Sequence, residues 1–231
     1  MNIKAVVFDL DDTLFPERDY AASGFNAVSE ILNNKYGIPD SRAELNSLFD
    51  DSPIGVFDRF ATLHSDIITA DVVKELVSTY RNHTPQLTLS QDIKTALVNL
   101  RKSGYKLGII TDGRPIGQRK KIDALGLNAL VDEIIITDEL GGKEFRKPDP
   151  RAFKKMSEAL GVALAQMLYV GDNPQKDFAV KKELPIRTVR VMTNSMYKNS
   201  DYACGIKPDY IVDDIQSIIV RCLTDKSSSL E

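Results

Sequence analysis

The sequence contains no tryptophan, and it has only two cysteines and two histidines among 231 residues. Cys204 and Cys222 are too few and too poorly spaced for a disulfide framework or a zinc site, so we expect both to be free thiols. His64 and His83 stand alone, and we interpret them as ordinary surface or pocket residues. These scarcities argue against disulfide-rich and zinc-binding classes of protein.

The chain also lacks an excess of charge of either sign. Its 30 basic and 33 acidic residues are well mixed and leave a net charge of -3, which predicts binding neither to nucleic acid nor to an anionic membrane. No apolar run approaches the roughly 18 residues of a membrane span, and the first strand begins too early to leave room for a signal peptide. We therefore expect a cytoplasmic protein, with a polar tail at residues 227–231 left out of the fold.

The stretch that organises the chain is Ile3–Leu14, with the sequence IKAVVFDLDDTL. Its β-branched run predicts a strand buried on both faces, followed at once by three carboxylates, those of Asp9, Asp11 and Asp12. Like charges this close need a neutralising cation or a protonated carboxyl group. An Asp-rich turn is the alternative, whereas an EF-hand calcium loop is excluded because it would need Gly at Leu14 and Glu at Tyr20.

The sequence pattern of residues 16–87 predicts an all-helical unit. The apolar spacing is helical, Ser41 and Glu44 match a capping box, and further helices are predicted over residues 56–64 and 71–80. No strand of comparable quality interrupts them, which is compatible with a small bundle. An insertion directly after the acidic turn would hang over the mouth of the first strand, where it could act as a lid.

From residue 88 onward, helical and strand patterns alternate, which predicts an α/β fold with a doubly wound, mostly parallel sheet. We expect a core of residues 1–15 and 88–226, interrupted by the helical unit. Ligands should then bind at the carboxyl ends of the strands. The predicted elements are helices 90–102, 118–125, 150–160 (capped by Asp149) and 175–183, and strands 106–110, 133–136, 167–170, 188–191 and 210–212.

Polar side chains follow several of these strands at the edge where binding is expected. They include Asp9, Asp11, Thr111, Asp172 and, on a Gly-rich connection, Lys147. Each alone could be a helix cap or a solvated surface residue. Independent caps, however, have no reason to supply a carboxylate nucleophile, a hydroxyl donor, a cation and a metal-ligating pair in one chain, so the combination predicts an active site.

The order of these residues resembles the haloacid dehalogenase superfamily. An apolar strand followed by Asp-x-Asp-x-Thr at residues 9–13 is similar to the first motif, and Thr111 to the second. Lys147 before Pro148 is similar to the third motif, and Gly-Asp at 171–172 with Asp177 to the fourth. The helical insertion resembles the cap of the subfamily that carries it after the first motif. Asp112 departs from the pattern, because many relatives have Asn there.

The resemblance implies a Rossmann-like core and a magnesium-dependent phosphatase acting on a small phosphomonoester, a sugar phosphate or a nucleotide-like compound. Asp9 would be the nucleophile that forms an aspartyl phosphate, and Asp11 the general acid and base. Magnesium would be held by Asp9, the backbone carbonyl of Asp11 and Asp172, supported by Asp177. The phosphoryl oxygens would be held by Thr111, Asp112, Gly113 and Lys147.

A phosphomutase or a haloacid dehalogenase of the same superfamily remains an alternative, although Asp11 argues against the dehalogenase. A receiver-type signalling domain and a non-catalytic binding protein are further alternatives, and a receiver domain has no place for the helical insertion. We expect a monomer or homodimer whose partner is a small phosphorylated metabolite. Candidate specificity residues are Arg18, Arg59, His64 and Arg114.

Overall fold

In a computed structural model of this protein, the described residues form a sheet of six parallel strands. They are β1 (Ala5–Phe8), β2 (Lys106–Thr111), β3 (Glu133–Ile136), β4 (Met167–Gly171), β5 (Arg187–Val191) and β6 (Tyr210–Val212). Their order is β3-β2-β1-β4-β5-β6, and every neighbouring pair is parallel. The strand order reverses between β1 and β4, the type of switch point at which doubly wound sheets bind ligands. The predicted α/β fold class is confirmed.

The structure describes residues 2–193 and 196–218. This part of the chain divides into two compact units, one of residues up to Pro16 together with those from Thr88 onward, the other Glu17–Leu87. Cys222, the end of the predicted core and the predicted tail at 227–231 lie outside the described residues. Cys204 is an exposed free thiol. Within the described ranges, no helix combines the length and the apolar character needed to cross a membrane.

The second unit consists of four helices, α1 (Glu17–Tyr36), α2 (Ser41–Asp51), α3 (Val56–Leu63) and α4 (Ala70–Asn82). Their apolar faces meet in one core that includes Phe25, Leu32, Leu45, Phe60 and Leu76. The 3.6-residue spacing of apolar side chains in the sequence is what brings these residues to the inside.

Within the described part of the first unit, the sheet is accompanied by the helices α5 (Gln91–Lys102), α6 (Pro115–Ala124) and α7 (Arg151–Leu160). All four residues of β1 are buried, as the sequence predicts for a strand covered on both faces. One face packs into a core with Phe153 and Met156 of α7 and Tyr169 of β4. Rigid packing around β1 holds the residues that follow it in place.

Several local predictions were wrong. The capping box at Ser41 and Glu44 does not form, because Asp40 occupies the cap in a left-handed conformation and the Glu44 carboxylate contacts His64 instead. No α-helix covers 175–183; the chain makes turns and a short 3₁₀ segment, Ala179–Lys182, since Asp177 is drawn into the core. The helix predicted from residue 118 begins earlier, at Pro115, and the one predicted from Pro150 begins at Arg151.

Arg59 holds the end of α2 inside the helical unit. Its guanidinium donates to the backbone oxygens of Leu48, at 2.6 Å, and Ser52, and it contacts Asp51 at 2.8 Å. The Ser52 carbonyl lies at the helix end, where carbonyls have no intrahelical partners, and the Leu48 carbonyl also accepts from the amide of Ser52 at 3.0 Å. We expect Arg59→Met to lower the free energy of unfolding by about 1.5–3 kcal/mol, as measured by urea titration followed by circular dichroism.

Arg18→Met is the matched control. Arg18 pairs with Asp50 at 2.7 Å, but both side chains are about half exposed, so its loss should cost less than about 1 kcal/mol. Equal losses for the two variants would contradict the capping role of Arg59.

Candidate active site

The carboxyl ends of β1 and β4 bring Asp9 and Asp172 together. The strands are in parallel register, Phe8 beside Val170, and the amide of Asp9 donates to the carbonyl of Val170 at 2.8 Å. Each aspartate is the first residue after its strand, and both side chains are almost fully buried. The register of the sheet therefore fixes the two carboxylates at one place.

Lys147 lies at the centre of the site. Its ammonium nitrogen is 2.6 Å from Oδ1 of Asp9, 2.9 Å from Oδ1 of Asp177 and 2.8 Å from the hydroxyl of Tyr169. A lysine ammonium has three protons, and these three partners can use all of them. The buried lysine is thus fixed in position by partners from three different parts of the chain.

Burial and charge oppose each other in this group. Burial raises the pKa of Asp9, but the positive charges of Lys147 and Lys176 outweigh it and hold that pKa below its usual value. Burial lowers the pKa of Lys147, but Asp177 and Asp9 outweigh it and raise that pKa well above its ordinary value. For Asp177, burial dominates and raises the pKa. The two lysines therefore favour the ionised form of Asp9.

Asp177 approaches the backbone of β4 closely. Its Oδ2 accepts from the amide of Asn173 at 2.8 Å, and its Oδ1 accepts from Tyr169 at 3.1 Å. A Cβ atom added to Gly171 would lie 2.5 Å from Oδ2 of Asp177. Glycine at position 171 is therefore required by the approach of this carboxylate.

Asp11 faces a different set of partners from Asp9. Its Oδ1 lies 2.7 Å from the ammonium of Lys121, and its Oδ2 accepts from Gln118 at 2.9 Å. The sequence suggested three crowded carboxylates, but the structure gives Asp9 and Asp11 a lysine each. Lys121 and Lys147, which lie 110 and 138 residues further along the chain than Asp11 and Asp9, thus reduce the repulsion between the carboxylates.

The loop after β2 places the predicted phosphate-binding residues together. Thr111 is buried, and its hydroxyl accepts from Gln118 at 2.6 Å. The Asp112 carboxylate accepts from the hydroxyl of Thr137 at 2.9 Å and from the amide of Lys147 at 3.1 Å. Gly113 has a φ of 131°, which favours glycine. The acidic side chain of Asp112 thus bridges two loops of the site.

The residues of the site fit a divalent cation. Carboxylate oxygens of Asp9, Asp172 and Asp177 lie within 4.8 Å of one another, and all three residues are buried. Among the described residues, Oδ2 of Asp9 has no hydrogen-bond partner, although a buried carboxylate oxygen normally has one. Hard oxygen donors of this kind suit Mg²⁺. Asp177 was predicted only as a supporting residue, whereas the structure brings its carboxylate into the group.

Sequence reasoning missed five polar residues of this region: Gln118, Lys121, Tyr169, Lys176 and Arg190. Tyr169 and Arg190 lie within the strands β4 and β5, where the sequence pattern indicates only a buried strand. In the structure, Nε of Arg190 donates to the carbonyl of Asp172 at 3.2 Å. Lys176 lies 3.7 Å from Asp112. Gln118 and Lys121 carry a detectable signal, because they are three residues apart on the helix that follows a motif strand.

The candidate specificity residues of the helical unit already have partners there. Arg18 pairs with Asp50, Arg59 caps α2, and Nε2 of His64 is 2.7 Å from Glu44. Arg114 is exposed at the start of α6. The guanidinium groups of Arg18 and Arg59 thus serve contacts within the unit, and a role of either in recognising substrate stays a prediction.

The site combines a buried aspartate after the first strand with a buried lysine that contacts it and two further buried aspartates. On a doubly wound sheet, this arrangement is typical of a class of hydrolases. The family model "Haloacid dehalogenase-like hydrolase" matches residues 6–191. The chain therefore belongs to the haloacid dehalogenase-like hydrolases.

Individual relatives are consistent with this family. The chain is 31% identical over 234 residues to a glyceraldehyde 3-phosphate phosphatase of Methanocaldococcus jannaschii, with 94% of this chain and 96% of the relative covered. It is 27% identical over 229 residues to the pyrophosphatase PpaX of Halalkalibacterium halodurans, with 95% and 96% covered. An L-2-haloacid dehalogenase structure is similar in fold, with a TM-score of 0.66, 22% identity, and 96% and 100% covered.

Proposed function

We propose that this protein is a magnesium-dependent phosphatase that hydrolyses a small phosphate ester through an aspartyl-phosphate intermediate. The observation that carries the proposal is the state of Asp9. This carboxylate is buried, and the charges of Lys147 and Lys176 lower its pKa and favour its ionised form. Its Oδ1 contacts Lys147, and its Oδ2 has no hydrogen-bond partner in the part of the chain that the structure describes. A buried carboxylate with an oxygen left for another group is suited to nucleophilic attack.

In this proposal, a carboxylate oxygen of Asp9 attacks phosphorus, and the bond from phosphorus to the leaving oxygen breaks. Asp11 gives its proton to that oxygen, so the alcohol leaves neutral. Asp11 then takes a proton from water as the water oxygen attacks phosphorus, and the bond from phosphorus to Asp9 breaks. Inorganic phosphate leaves, and both residues return to their starting states.

The cation would be held by Asp9, Asp172 and the backbone carbonyl of Asp11, with Asp177 beside them. Magnesium bound there would neutralise negative charge on the phosphoryl oxygens. Lys147 and the hydroxyl of Thr111 would contribute further positive charge and a hydrogen bond to the same oxygens. The Asp112 carboxylate already accepts from Thr137 and Lys147, so Asp112 and Gly113 would contribute their backbone amides.

The substrate class is a small phosphorylated metabolite, such as a sugar phosphate. The names of the relatives from M. jannaschii and H. halodurans, a glyceraldehyde 3-phosphate phosphatase and a pyrophosphatase, support a small phosphate compound. The helical unit lies in the chain directly after the Asp9 motif, and we propose that it is the cap that selects substrate. A panel of phosphorylated metabolites, assayed by released phosphate, tests this choice.

The proposal predicts an absolute need for magnesium. Para-nitrophenyl phosphate should be hydrolysed with Mg²⁺ present, excess chelator should stop turnover, and added Mg²⁺ should restore it. Asp172→Asn should weaken Mg²⁺ binding by at least about tenfold in calorimetry, because a charged ligand is replaced by a neutral one.

The control for this variant is Asp123→Asn, which removes an exposed carboxylate of α6 and should leave Mg²⁺ binding unchanged. Full activity in excess chelator would overturn the proposal. Release of halide from 2-chloropropionate without hydrolysis of any phosphate ester would favour the dehalogenase, and transfer of phosphate between two positions of a sugar would favour the mutase. Binding of phosphate esters without turnover would favour a receiver-type domain or a non-catalytic binding protein.

A further inference from the structure

Helix α6 presents two buried polar side chains to a single carboxylate. Gln118 and Lys121 lie three residues apart, and both are at least 95% buried. Lys121 contacts Oδ1 of Asp11 at 2.7 Å, and Gln118 donates to Oδ2 of Asp11 at 2.9 Å. Both oxygens of the Asp11 carboxylate are therefore held from the same helix face.

Gln118 also connects Asp11 to Thr111. The same amide nitrogen that donates to Asp11 donates to the hydroxyl oxygen of Thr111 at 2.6 Å. An amide nitrogen carries two protons, so one can be used for each contact. Since Thr111 accepts from Gln118, its own hydroxyl proton is directed away from that amide.

The orientation of this amide is determined by its neighbours. If the Gln118 side chain were flipped, its carbonyl oxygen would face Oδ2 of Asp11, and the ionised form of Asp11 that takes a proton from water would lose this hydrogen bond. The ammonium of Lys121 also lies over the ring of Phe15, 5.9 Å from its centroid. Lys121 is thus held between an aromatic ring and Asp11, which restricts where the carboxylate can lie.

We propose that Gln118 and Lys121 are positioning residues that hold the Asp11 carboxylate for proton transfer and aim the Thr111 hydroxyl at the phosphoryl group. This inference rests on the phosphatase function proposed above. Neither residue would touch the substrate. Burying a lysine and a glutamine is costly unless their partners are well placed, and both residues have Asp11 as a shared partner. A displacement of about 1 Å of a catalytic group can lower a rate about 100-fold.

The proposal is tested with Lys121→Met and Gln118→Met on two substrates, para-nitrophenyl phosphate and 2-glycerol phosphate. Nitrophenolate leaves without a proton donor, whereas a glycerol alkoxide needs one. We expect kcat for 2-glycerol phosphate to fall about 10- to 100-fold in each variant, with KM changed less than about threefold. Rapid mixing with para-nitrophenyl phosphate should still give a burst of nitrophenol near one equivalent per site, followed by slowed turnover.

Three further variants separate positioning from general damage to the fold. Lys121→Arg keeps a charged donor and should recover part of the lost kcat. Gln118→Glu keeps the size but turns a donor into an acceptor facing Asp11, so it should be worse than Gln118→Met. Arg119→Met removes a cation from the same helix that pairs instead with Glu139 at 2.6 Å, and should leave both substrates unchanged. Equal losses on the burst and on 2-glycerol phosphate would overturn the proposal.

A crystal structure of Lys121→Met gives a readout that does not depend on activity. The Asp11 carboxylate should move from its wild-type position or occupy more than one rotamer, and an unmoved carboxylate would overturn the positioning role. If wild-type protein with Mg²⁺ hydrolyses no phosphate ester, the proposed phosphatase function fails, and the crystal structure still decides whether Gln118 and Lys121 hold Asp11.

Discussion

Asp9→Asn is expected to abolish hydrolysis of every phosphate ester, including para-nitrophenyl phosphate, and to prevent formation of any acid-labile phosphoenzyme. An amide oxygen is a poor nucleophile, and the Asp11 carboxylate is held away from this role by Lys121 and Gln118. Steady-state assays and acid quenching with radiolabelled substrate measure the two effects separately.

The matched control is Asp12→Asn, which makes the same chemical change three residues further on. Asp12 has a φ of 55°, a left-handed conformation that asparagine tolerates well, so the backbone should be unaffected. Activity of this variant should stay far above that of Asp9→Asn, because the Asp9 carboxylate remains in place. Trapping of phosphoenzyme in Asp9→Asn would show that another residue is the nucleophile.

Lys147→Met is expected to produce the largest loss of stability among the site variants. The substitution leaves Asp9 and Asp177 as buried carboxylates without the cation that lies 2.6 and 2.9 Å from them. Removing one partner of a buried ion pair costs about 3–5 kcal/mol. Urea unfolding in the absence of magnesium, followed by circular dichroism, measures this loss, and turnover should fall as well because a phosphate-binding cation is missing.

Lys176→Met is the matched control, since it removes the other lysine of the site. The Lys176 side chain is 29% exposed and lies 3.7 Å from Asp112, so its removal should cost less than about 1 kcal/mol. A second comparison uses Lys147→Met together with Asp177→Asn, which removes one of the two unpaired charges. The double variant should be more stable than Lys147→Met, and the opposite order would mean that charge burial is not the cause.

The strand-end pattern predicted from the sequence corresponds closely to the structure where the backbone decides the outcome. Asp9, Thr111 and Asp172 end or follow strands whose apolar runs are easy to detect, and the parallel register then brings those ends together. Lys147 carries no such signal in its own surroundings, and only its order among the other motifs points to it.

The side-chain contacts within the site could not be predicted from the sequence. The contacts of Asp11 with Gln118 and Lys121 join residues 107 and 110 positions apart, and local patterns contain no information on such pairs. The predicted helix at 175–183 fails for a related reason. The contact of Asp177 with Lys147 and the amide of Asn173 fixes the backbone there, and tertiary contacts override the helical propensity of the segment.

The position of β1 in the sheet has a consequence for how the protein is made. Ala5 of β1 pairs with Lys106 of β2 on one side and with Met167 of β4 on the other. The first strand to be synthesised therefore has no strand partner until much later parts of the chain have been made. The helical unit, Glu17–Leu87, is contiguous and can complete its own contacts before β2 leaves the ribosome. Asp9 meets its cation only after Lys147 has been translated. The nascent chain is therefore without the ion pair of Asp9 and Lys147 until more than half of it has emerged.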